Sequence, residues 1–306
     1  MYAALTAAAF FWGSGFVLAR FALRSISPLV LLAGQSLATA LSQMIWTLAR
    51  GKIAELRLPA DHFRPVLLLG LVGQNILNGL TFWGLASTTA TNTALIFGIS
   101  PVLISLMAAL FLSEPFRRRQ ILGALVGFSG ISLIITQGHL GAIHLRGMMT
   151  GNLLVLAAAA YWAGYSVATR HITQAVKPEV YTFYLLTLGA FGPLLLAVTA
   201  GGQLPISGLG GRTLASVVFI GVSTGTLGIN FWNWGLSQIE ASRVGVFSYL
   251  EPVFAAILAA AFLGERLGLP TALGAVLVFV GIFLTSVSRR TAEKATEEPA
   301  FTDLKS

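Results

Sequence analysis

Residues 2–22 read YAALTAAAFFWGSGFVLARFA, and residues 150–170 read TGNLLVLAAAAYWAGYSVATR. Each stretch is long and apolar enough to cross the hydrocarbon core of a bilayer, which takes about 20 helical residues. The only charged residue in each is an arginine near its end, Arg20 in the first and Arg170 in the second. Both also carry an aromatic residue followed by tryptophan near the middle. The two stretches therefore predict membrane-spanning helices that are copies of one another.

The whole chain has the composition of a membrane protein. Hydrophobic residues make up 56% of the 306 residues and charged residues only 10%, whereas soluble domains are about 25% charged. The mean hydropathy is +0.81. A soluble protein of this composition would lack the polar surface that must face water. The net charge of +8 does not indicate nucleic-acid binding, because the basic residues lie in short clusters between apolar runs.

Ten apolar runs separated by turn residues predict an all-α integral membrane protein with ten transmembrane helices. The predicted spans cover residues 2–22, 28–49, 65–85, 91–112, 120–137, 150–170, 179–199, 212–236, 242–263 and 270–288. Residues 138–149 read as a linker. Residues 289–306 are rich in charge and are predicted to form a disordered cytoplasmic tail.

The distribution of basic residues predicts the orientation, since cytoplasmic loops carry an excess of Lys and Arg. With a cytoplasmic N-terminus, 14 of the 19 Lys and Arg residues lie inside and 5 outside. The outside five are Arg20, Arg24, Arg146, Arg212 and Arg266. Because the opposite orientation inverts this ratio, both termini are predicted to be cytoplasmic, in a bacterial-type inner membrane.

An internal repeat runs through the chain at an offset of about 150 residues. Trp83-Gly84-Leu85 recurs as Trp234-Gly235-Leu236, Pro101-Val102 as Pro252-Val253, Phe111-Leu112-Ser113-Glu114 as Phe262-Leu263-Gly264-Glu265, and Gly123 and Gly130 as Gly274 and Gly281. The repeats, 1–137 and 150–288, hold five spans each. An odd number of spans makes the second half enter the membrane from the opposite side. The pattern predicts an inverted repeat around a central cavity, which is typical of secondary transporters.

These residues resemble the drug/metabolite transporter superfamily, in its ten-helix EamA-type branch. The resemblance rests on the Phe-Trp-Gly of span 1, on Pro101 and Pro252, on the Leu-x-Glu ends at Glu114 and Glu265, and on the Gly-rich fifth and tenth spans. It implies export or import of small metabolites, often amino acids, through a cavity between the halves. The aromatic residues are most similar to those of exporters of aromatic and other neutral amino acids.

Aromatic and amide side chains inside the spans are the candidate substrate contacts. Trp12 and Trp162 lie about ten residues into their spans, near the midplane at about 1.5 Å per residue, where tryptophan is unusual. They could stack on a substrate and offer an indole N–H, or they could pack the core. Asn75, Asn78 and Asn230 could bind a zwitterion or could bond neighbouring helices. Tyr165, Phe247 and Tyr249 are predicted as further aromatic lining.

Pro101, Pro252 and Glu251 are candidates for gating or coupling. Each proline falls near the middle of its span, where it removes a backbone donor and favours a kink that could act as a hinge. Glu251 is the only acidic residue well inside a span, and an ionisable group at that depth is a candidate for proton coupling. Its counterpart in the first repeat is Ser100. Proton coupling and facilitated diffusion both stay open, as does the direction of transport.

Several activities have no support in the sequence. The chain has no cysteine and no phosphate-binding loop, so no metal, cofactor or ATP-driven step is predicted. Gly127-Phe128-Ser129-Gly130 matches the pattern of intramembrane serine proteases, but no histidine lies inside a span to act as its base. The expectation is a non-enzymatic carrier whose partners are a small molecule and lipid, and a monomer suffices. Efflux of drugs or other metabolites is the alternative.

Overall fold

The computed structural model describes residues 1–88, 90–115, 118–139, 148–199, 210–263 and 268–286. Most of the predicted linker, at 140–147, and the predicted tail, at 289–306, lie outside these ranges. So does the second copy of the Leu-x-Glu motif at Gly264-Glu265. Within them, every regular element is helical.

Ten helices follow the predicted spans. They are α1 (Tyr2–Ala22), α2 (Pro28–Ala49), α3 (Ala60–Ser87), α4 (90–111), α5 (Arg118–Thr136), α6 (Met149–Ile172), α7 (Pro178–Thr199), α8 (Gly211–Gln238), α9 (241–263) and α10 (Leu269–Ser286). Among the described residues nine of them are long and apolar enough to cross a membrane, and α10 contains a shorter apolar stretch, Leu269–Thr285. Helix α3 begins five residues before the predicted span, because Pro65 is accommodated in its N-terminal part.

The outside of the bundle is apolar, as a lipid-facing surface must be. Large side chains such as Phe111, 74% exposed, and Leu269, 71% exposed, point outward. Soluble monomers rarely expose extended apolar patches of this kind. Together with the ten helices, this surface makes the chain a multi-pass membrane protein.

Helices α4 and α9 are each interrupted just before their proline. Helix α4 consists of Ala90–Phe97 and Ser100–Phe111. Helix α9 begins with Ala241–Gly245, passes through a 3-10 turn at Val246–Tyr249 and continues as Leu250–Leu263. Each proline thus lies in the first turn of the second helical segment. The N–H groups of a first turn have no acceptor within the helix, so the missing proline N–H costs no hydrogen bond there. The predicted interruptions exist, but they precede the prolines rather than centre on them.

Helices α3 and α8 each contain a π-helical turn, which the sequence analysis missed. The turns cover Leu69–Gly73 in α3 and Gly221–Gly228 in α8. Wide turns of this kind are rare and are found mostly at functional sites. They occupy related positions in the two repeats, and both lie next to the central cavity described below.

Helices α5 and α10 pack backbone against backbone. A Cβ atom placed at Gly281 would lie 2.5 Å from the carbonyl oxygen of Gly123, and one at Gly274 would lie 2.6 Å from that of Gly130. Real Cβ atoms are essentially never this close to a neighbour, so only glycine fits. This is the close approach that small residues allow between membrane helices. We call this contact the α5–α10 glycine seam.

Residues at the repeat offset make equivalent contacts in the two halves. Arg20 Nη1 donates to the carbonyl of Leu85 over 2.5 Å, and Arg170 Nη1 donates to that of Leu236 over 2.8 Å. Gly84 precedes Leu85 and packs against Val155. In the second half, Gly235 precedes Leu236 and packs against Leu5 in the same way. These contacts have the form that a structural repeat predicts.

Candidate functional site

A cavity of about 110 Å³ lies in the middle of the bundle, and we call it the central cavity. Helices α1, α2, α3, α4, α6, α8 and α9 contribute to its wall. Its lining includes Trp12, Gln35, Gln74, Asn78, Phe97, Trp162, Thr224 and Glu251. The candidate residues selected from the sequence lie on the same helices except α2, which contributes Gln35.

The two predicted tryptophans meet at this cavity. The ring centroids of Trp12 and Trp162 are 5.2 Å apart, edge to face at 90°. Trp232, which the sequence analysis did not select, packs on both at 5.1 and 5.3 Å. The Trp12 indole Nε1 donates to the carbonyl of Thr224 over 3.1 Å. The expected substrate bond from the Trp12 N–H is therefore replaced by a bond to the π-helical turn, which holds the ring in place.

Tyr165 lies behind Trp162 rather than in the cavity wall. Its ring stacks on Trp162 at 5.2 Å and 15°. Its hydroxyl donates to Asn233 Oδ1 over 3.3 Å, and Asn233 Nδ2 donates to Thr182 over 3.0 Å. Tyr165 is only 2% exposed. It supports the orientation of Trp162 and does not line the cavity, contrary to the expectation.

Only one of the three predicted asparagines lines the central cavity. Asn78 does so. Asn75 lies against Gly192 of α7, and its Nδ2 donates back to the carbonyl of Leu71 over 2.8 Å. Asn230 Nδ2 donates to Gln43 Oε1 over 2.7 Å. Asn230 therefore bonds a neighbouring helix, whereas Asn75 donates within its own helix and leaves its Oδ1 buried without a partner.

Phe247 and Tyr249 are also core residues outside the lining. The Phe247 ring stacks on Tyr2 at 5.6 Å. The Tyr249 hydroxyl donates to the carbonyl of Ala124 over 2.9 Å, and its ring packs against Gly127. The aromatic composition of α9 could not distinguish its cavity face from the face that packs on α5.

Glu251 occupies the boundary between two cavities. It lines the central cavity and also a second one of about 430 Å³, which we call the side cavity. The side cavity extends past Pro252 toward Arg20 and Arg24 at the end of α1. Glu251 is only 8% exposed. Among the described residues, no hydrogen bond or ion pair of its carboxylate is recorded. Pro101 is buried in α4.

Two glutamines of the central cavity were missed as a pair in the sequence. Gln35 on α2 is 5% exposed and Gln74 on α3 is 8% exposed. The Oε1 atom of each is buried and has no hydrogen-bond partner. A buried acceptor without a donor costs about 1–3 kcal/mol. The position of Gln35 could have revealed it. It lies seven residues into a span, where an amide without hydrogen-bond partners is energetically unfavourable.

Two ion pairs join the halves at the end of the bundle where α2 and α6 terminate. Lys52 Nζ lies 3.4 Å from Glu179 Oε1, and Lys177 Nζ lies 3.1 Å from Glu55 Oε2. The hydrogen bond and the charge of Lys177 lower the pKa of Glu55. Nearby, the Tyr184 hydroxyl donates to the carbonyl of Leu56 over 2.9 Å. We call this crossed pair of contacts the ionic latch.

The Gly-x-Ser-Gly pattern falls on the packing face and the outside of α5. Ser129 Oγ donates to the carbonyl of Leu125 over 2.9 Å at an exposed position. Gly130 belongs to the glycine seam. This serine is therefore bonded within its own helix, and it faces away from the cavity-lining residues.

The ten-helix fold and its internal cavity place the chain in the class of multi-pass helical membrane proteins. The model of the EamA-like transporter family matches residues 1–136 and 149–287, so the chain belongs to this family of transporters. The uncharacterized transporter YyaM of Bacillus subtilis is 29% identical over 300 residues, covering 97% of each chain.

Two further relatives carry substrate names. A probable terminal-alkyne amino-acid exporter of Streptantibioticus cattleyicolor is 28% identical over 94% of this chain and 92% of its own. The aromatic amino acid exporter YddG of Ancylobacter novellus is 28% identical over 63% of this chain and 66% of its own. A protein of known crystal structure superposes with a TM-score of 0.79 over 95% of this chain and 97% of its own, at 24% identity, which establishes similarity of fold.

Proposed function

We propose that this protein is a secondary transporter, acting as an exporter, of small neutral or zwitterionic metabolites, with amino acids, including aromatic ones, as the main class. The observation that carries the proposal is the central cavity. It combines two indole rings with the amides of Gln35, Gln74 and Asn78 deep in the bundle. Flat aromatic faces and uncharged polar groups suit an aromatic or apolar side chain attached to a small polar head. The names of two relatives point the same way.

Alternating access is proposed to arise from rocking of two inverted halves about the cavity. The equivalent contacts of Arg20 and Arg170 and the reciprocal glycine pairs support the repeat. With the predicted orientation, the ionic latch closes the cytoplasmic end while the side cavity reaches the outer end at Arg20 and Arg24. The structure would then represent an outward-facing state. Glu251, between the cavities, is the proposed coupling residue.

The direct test is counterflow in liposomes that contain the purified protein. Labelled neutral, aromatic, acidic and basic amino acids are compared in separate assays. Uptake confined to neutral and aromatic amino acids is expected. If other metabolites or lipid-impermeant drugs move while no amino acid does, the carrier is retained but the amino acid assignment is wrong. Repeating the assay with a pH gradient distinguishes coupled transport from facilitated diffusion.

Trp162 provides the corresponding test of the cavity. Replacing it with alanine removes a ring that lines the cavity and is only 4% exposed. We expect Trp162→Ala to reduce counterflow about tenfold or more, since stacked aromatic contacts and their buried area contribute about 1–3 kcal/mol. Because Trp162 also packs on Tyr165 and Trp232, expression and thermal stability are measured alongside. Unchanged kinetics at wild-type protein levels would remove Trp162 from the site.

A further inference from the structure

Gln35, Gln74 and Glu251 each bring to the central cavity a hydrogen-bond acceptor that has no donor among the described residues. Gln35 and Gln74 each present a buried Oε1 without a partner, and Glu251 contributes a carboxylate. All three side chains are more than nine-tenths buried. Terminal amide torsions are soft, so either oxygen can turn toward a donor that enters the cavity.

The central cavity itself brings no positive charge to this set. Among the described residues, its lining includes one carboxylate and no Lys, Arg or His, whereas Arg20 and Arg24 line the side cavity. With Glu251 ionised, a substrate carboxylate in the central cavity would be repelled by it, because like charges at close range repel strongly in a low dielectric. A substrate cation would instead meet Glu251 together with the faces of Trp12 and Trp162, which attract cations through their ring quadrupoles.

The unpaired acceptors of Gln35, Gln74 and Glu251 suit one chemical group. A primary ammonium carries three N–H donors and no acceptor. Gln35, Gln74 and Glu251 offer three acceptor groups from three helices, α2, α3 and α9. Binding an ammonium would satisfy both unpaired amide oxygens and neutralise the buried carboxylate in one step.

We propose that the central cavity recognises its substrate through a primary ammonium group held by Glu251, Gln35 and Gln74, and that a substrate carboxylate is dispensable. This rests on the proposed function and narrows it. Aromatic and apolar primary amines then bind at least as tightly as the amino acids of the same side chain. Carboxylic acids of the same size bind poorly.

Four probes that share a benzene ring separate the contributions. They are phenethylamine with an ammonium only, L-phenylalanine with both charges, 3-phenylpropionate with a carboxylate only and 3-phenyl-1-propanol with neither. Binding to the full-length protein in nanodiscs is measured by titration calorimetry. The expected order places phenethylamine and phenylalanine at least tenfold tighter than 3-phenylpropionate, with 3-phenyl-1-propanol between them.

The variants Glu251→Gln and Asp61→Asn each remove one carboxylate. Asp61 is exposed in the first turn of α3 and serves as the matched control. Glu251→Gln is expected to lower the affinity for phenethylamine at least tenfold and to leave the affinity for 3-phenyl-1-propanol unchanged. Asp61→Asn should change neither affinity. If Glu251→Gln does not fold, the double variant Gln35→Leu with Gln74→Leu tests the same prediction.

The outcomes separate this inference from the proposed function. If 3-phenylpropionate binds as tightly as phenethylamine, or if the cavity variants retain full affinity for phenethylamine, recognition through ammonium is wrong although the cavity still binds small molecules. If none of the four probes binds and no amino acid shows counterflow, both proposals are wrong. If the variants lose affinity only for phenethylamine and L-phenylalanine, the result supports both this inference and the proposed function.

Discussion

Helices α4 and α9 occupy the same position in the two repeats, yet only one of them brings a charge to the cavity. Both are interrupted just before a proline. In α4 the preceding residue is Ser100, whose hydroxyl donates to the carbonyl of Phe97 over 2.6 Å and thereby satisfies its own helix. In α9 the preceding residue is Glu251, which faces both cavities. The two halves share the helix interruption before the proline and differ in the side chain of the residue that precedes the proline.

The scaffold contacts, by contrast, are alike in the two halves. Trp83 is 40% exposed and Trp234 is 39% exposed, while the leucine that follows each by two positions is buried. Arg20 and Arg170 hold equivalent carbonyls. Residues at the repeat offset are therefore alike where helices pack, and at the cavity the pair Trp12 and Trp162 is shared whereas Glu251 is not. Departures from the repeat are the positions at which specificity is expected.

The largest effect is expected when α9 is given the residue of α4. Glu251→Ser removes the one carboxylate found among the described residues that line the central cavity, and removing one partner of a buried charged contact costs about 2–5 kcal/mol. Counterflow of an amine or amino acid should fall about 30-fold or more. The control Ser100→Ala should stay within about threefold, because that hydroxyl bonds only within α4. Equal losses in both variants would contradict the asymmetry.

A second, smaller effect should be equal in the two halves. Gly130 and Gly281 are equivalent in the repeat, and an added Cβ at either meets a backbone carbonyl of the glycine seam at 2.6 or 2.5 Å. Overpacking of this kind costs about 1–3 kcal/mol. Gly130→Ala and Gly281→Ala should lower the thermal midpoint by similar amounts.

Gly79→Ala provides the matched control for the seam. Its added Cβ would lie 3.7 Å from the Trp83 ring, which is an ordinary contact. The thermal midpoint of this variant should equal or exceed that of the wild type, since alanine favours helix. A seam variant as stable as Gly79→Ala would show that α5 and α10 can separate without loss.

The arginine pair sharpens the same comparison. Arg20→Met and Arg170→Met each remove a charged hydrogen bond to a helix-end carbonyl, a contact of about 1.5–3 kcal/mol before the retained packing of the methionine stem is counted. We expect both to lower the thermal midpoint by a similar, modest amount. Arg20 also lines the side cavity. A transport defect confined to Arg20→Met at equal stability would show that the outer end, too, departs from the repeat.

The smallest effect is expected at the ionic latch, because exposed ion pairs contribute little. Lys177→Glu places two like charges together and should increase labelling of a cysteine introduced at Asn230, below the latch. The double variant Lys177→Glu with Glu55→Lys restores opposite charges and should reverse the increase. If neither the single nor the double variant changes the labelling, the ionic latch does not close this end of the bundle.

The latch also has a defined pH dependence. The pKa of Glu55 is lowered by Lys177, so the contribution of this pair is present at neutral pH. It is lost only as the pH falls through the lowered pKa, below the ordinary value near 4.5. Cysteine labelling in the wild type should therefore be flat from pH 8 down to about pH 5 and increase only in stronger acid.

The all-helical membrane fold and nearly all helix bounds follow from the sequence, because lipid requires long apolar helices. Trp12, Trp162, Asn78 and Glu251 line the central cavity, and their part in substrate binding and coupling stays a prediction. Tyr249 and Phe247 do not line it, because hydropathy does not reveal which face of a buried aromatic helix meets a neighbour. Asn75 and Asn78 lie three residues apart in one regular stretch of α3, yet only Asn78 lines the central cavity, so spacing alone does not tell which amide faces it. The place of Gln35 in the cavity lining could not be predicted without knowing how α2 packs against α3.

The glycine seam has a consequence for how the chain is made. Helix α5 ends at residue 136 and its partner α10 at residue 286. At about 5–20 residues per second, the ribosome needs about 8–30 s to synthesise the intervening chain. During that interval the bare glycine face of α5 has no partner from its own molecule. After membrane insertion of the first five helices, the glycines of α5 therefore stay without their α10 partners until α10 itself has been synthesised.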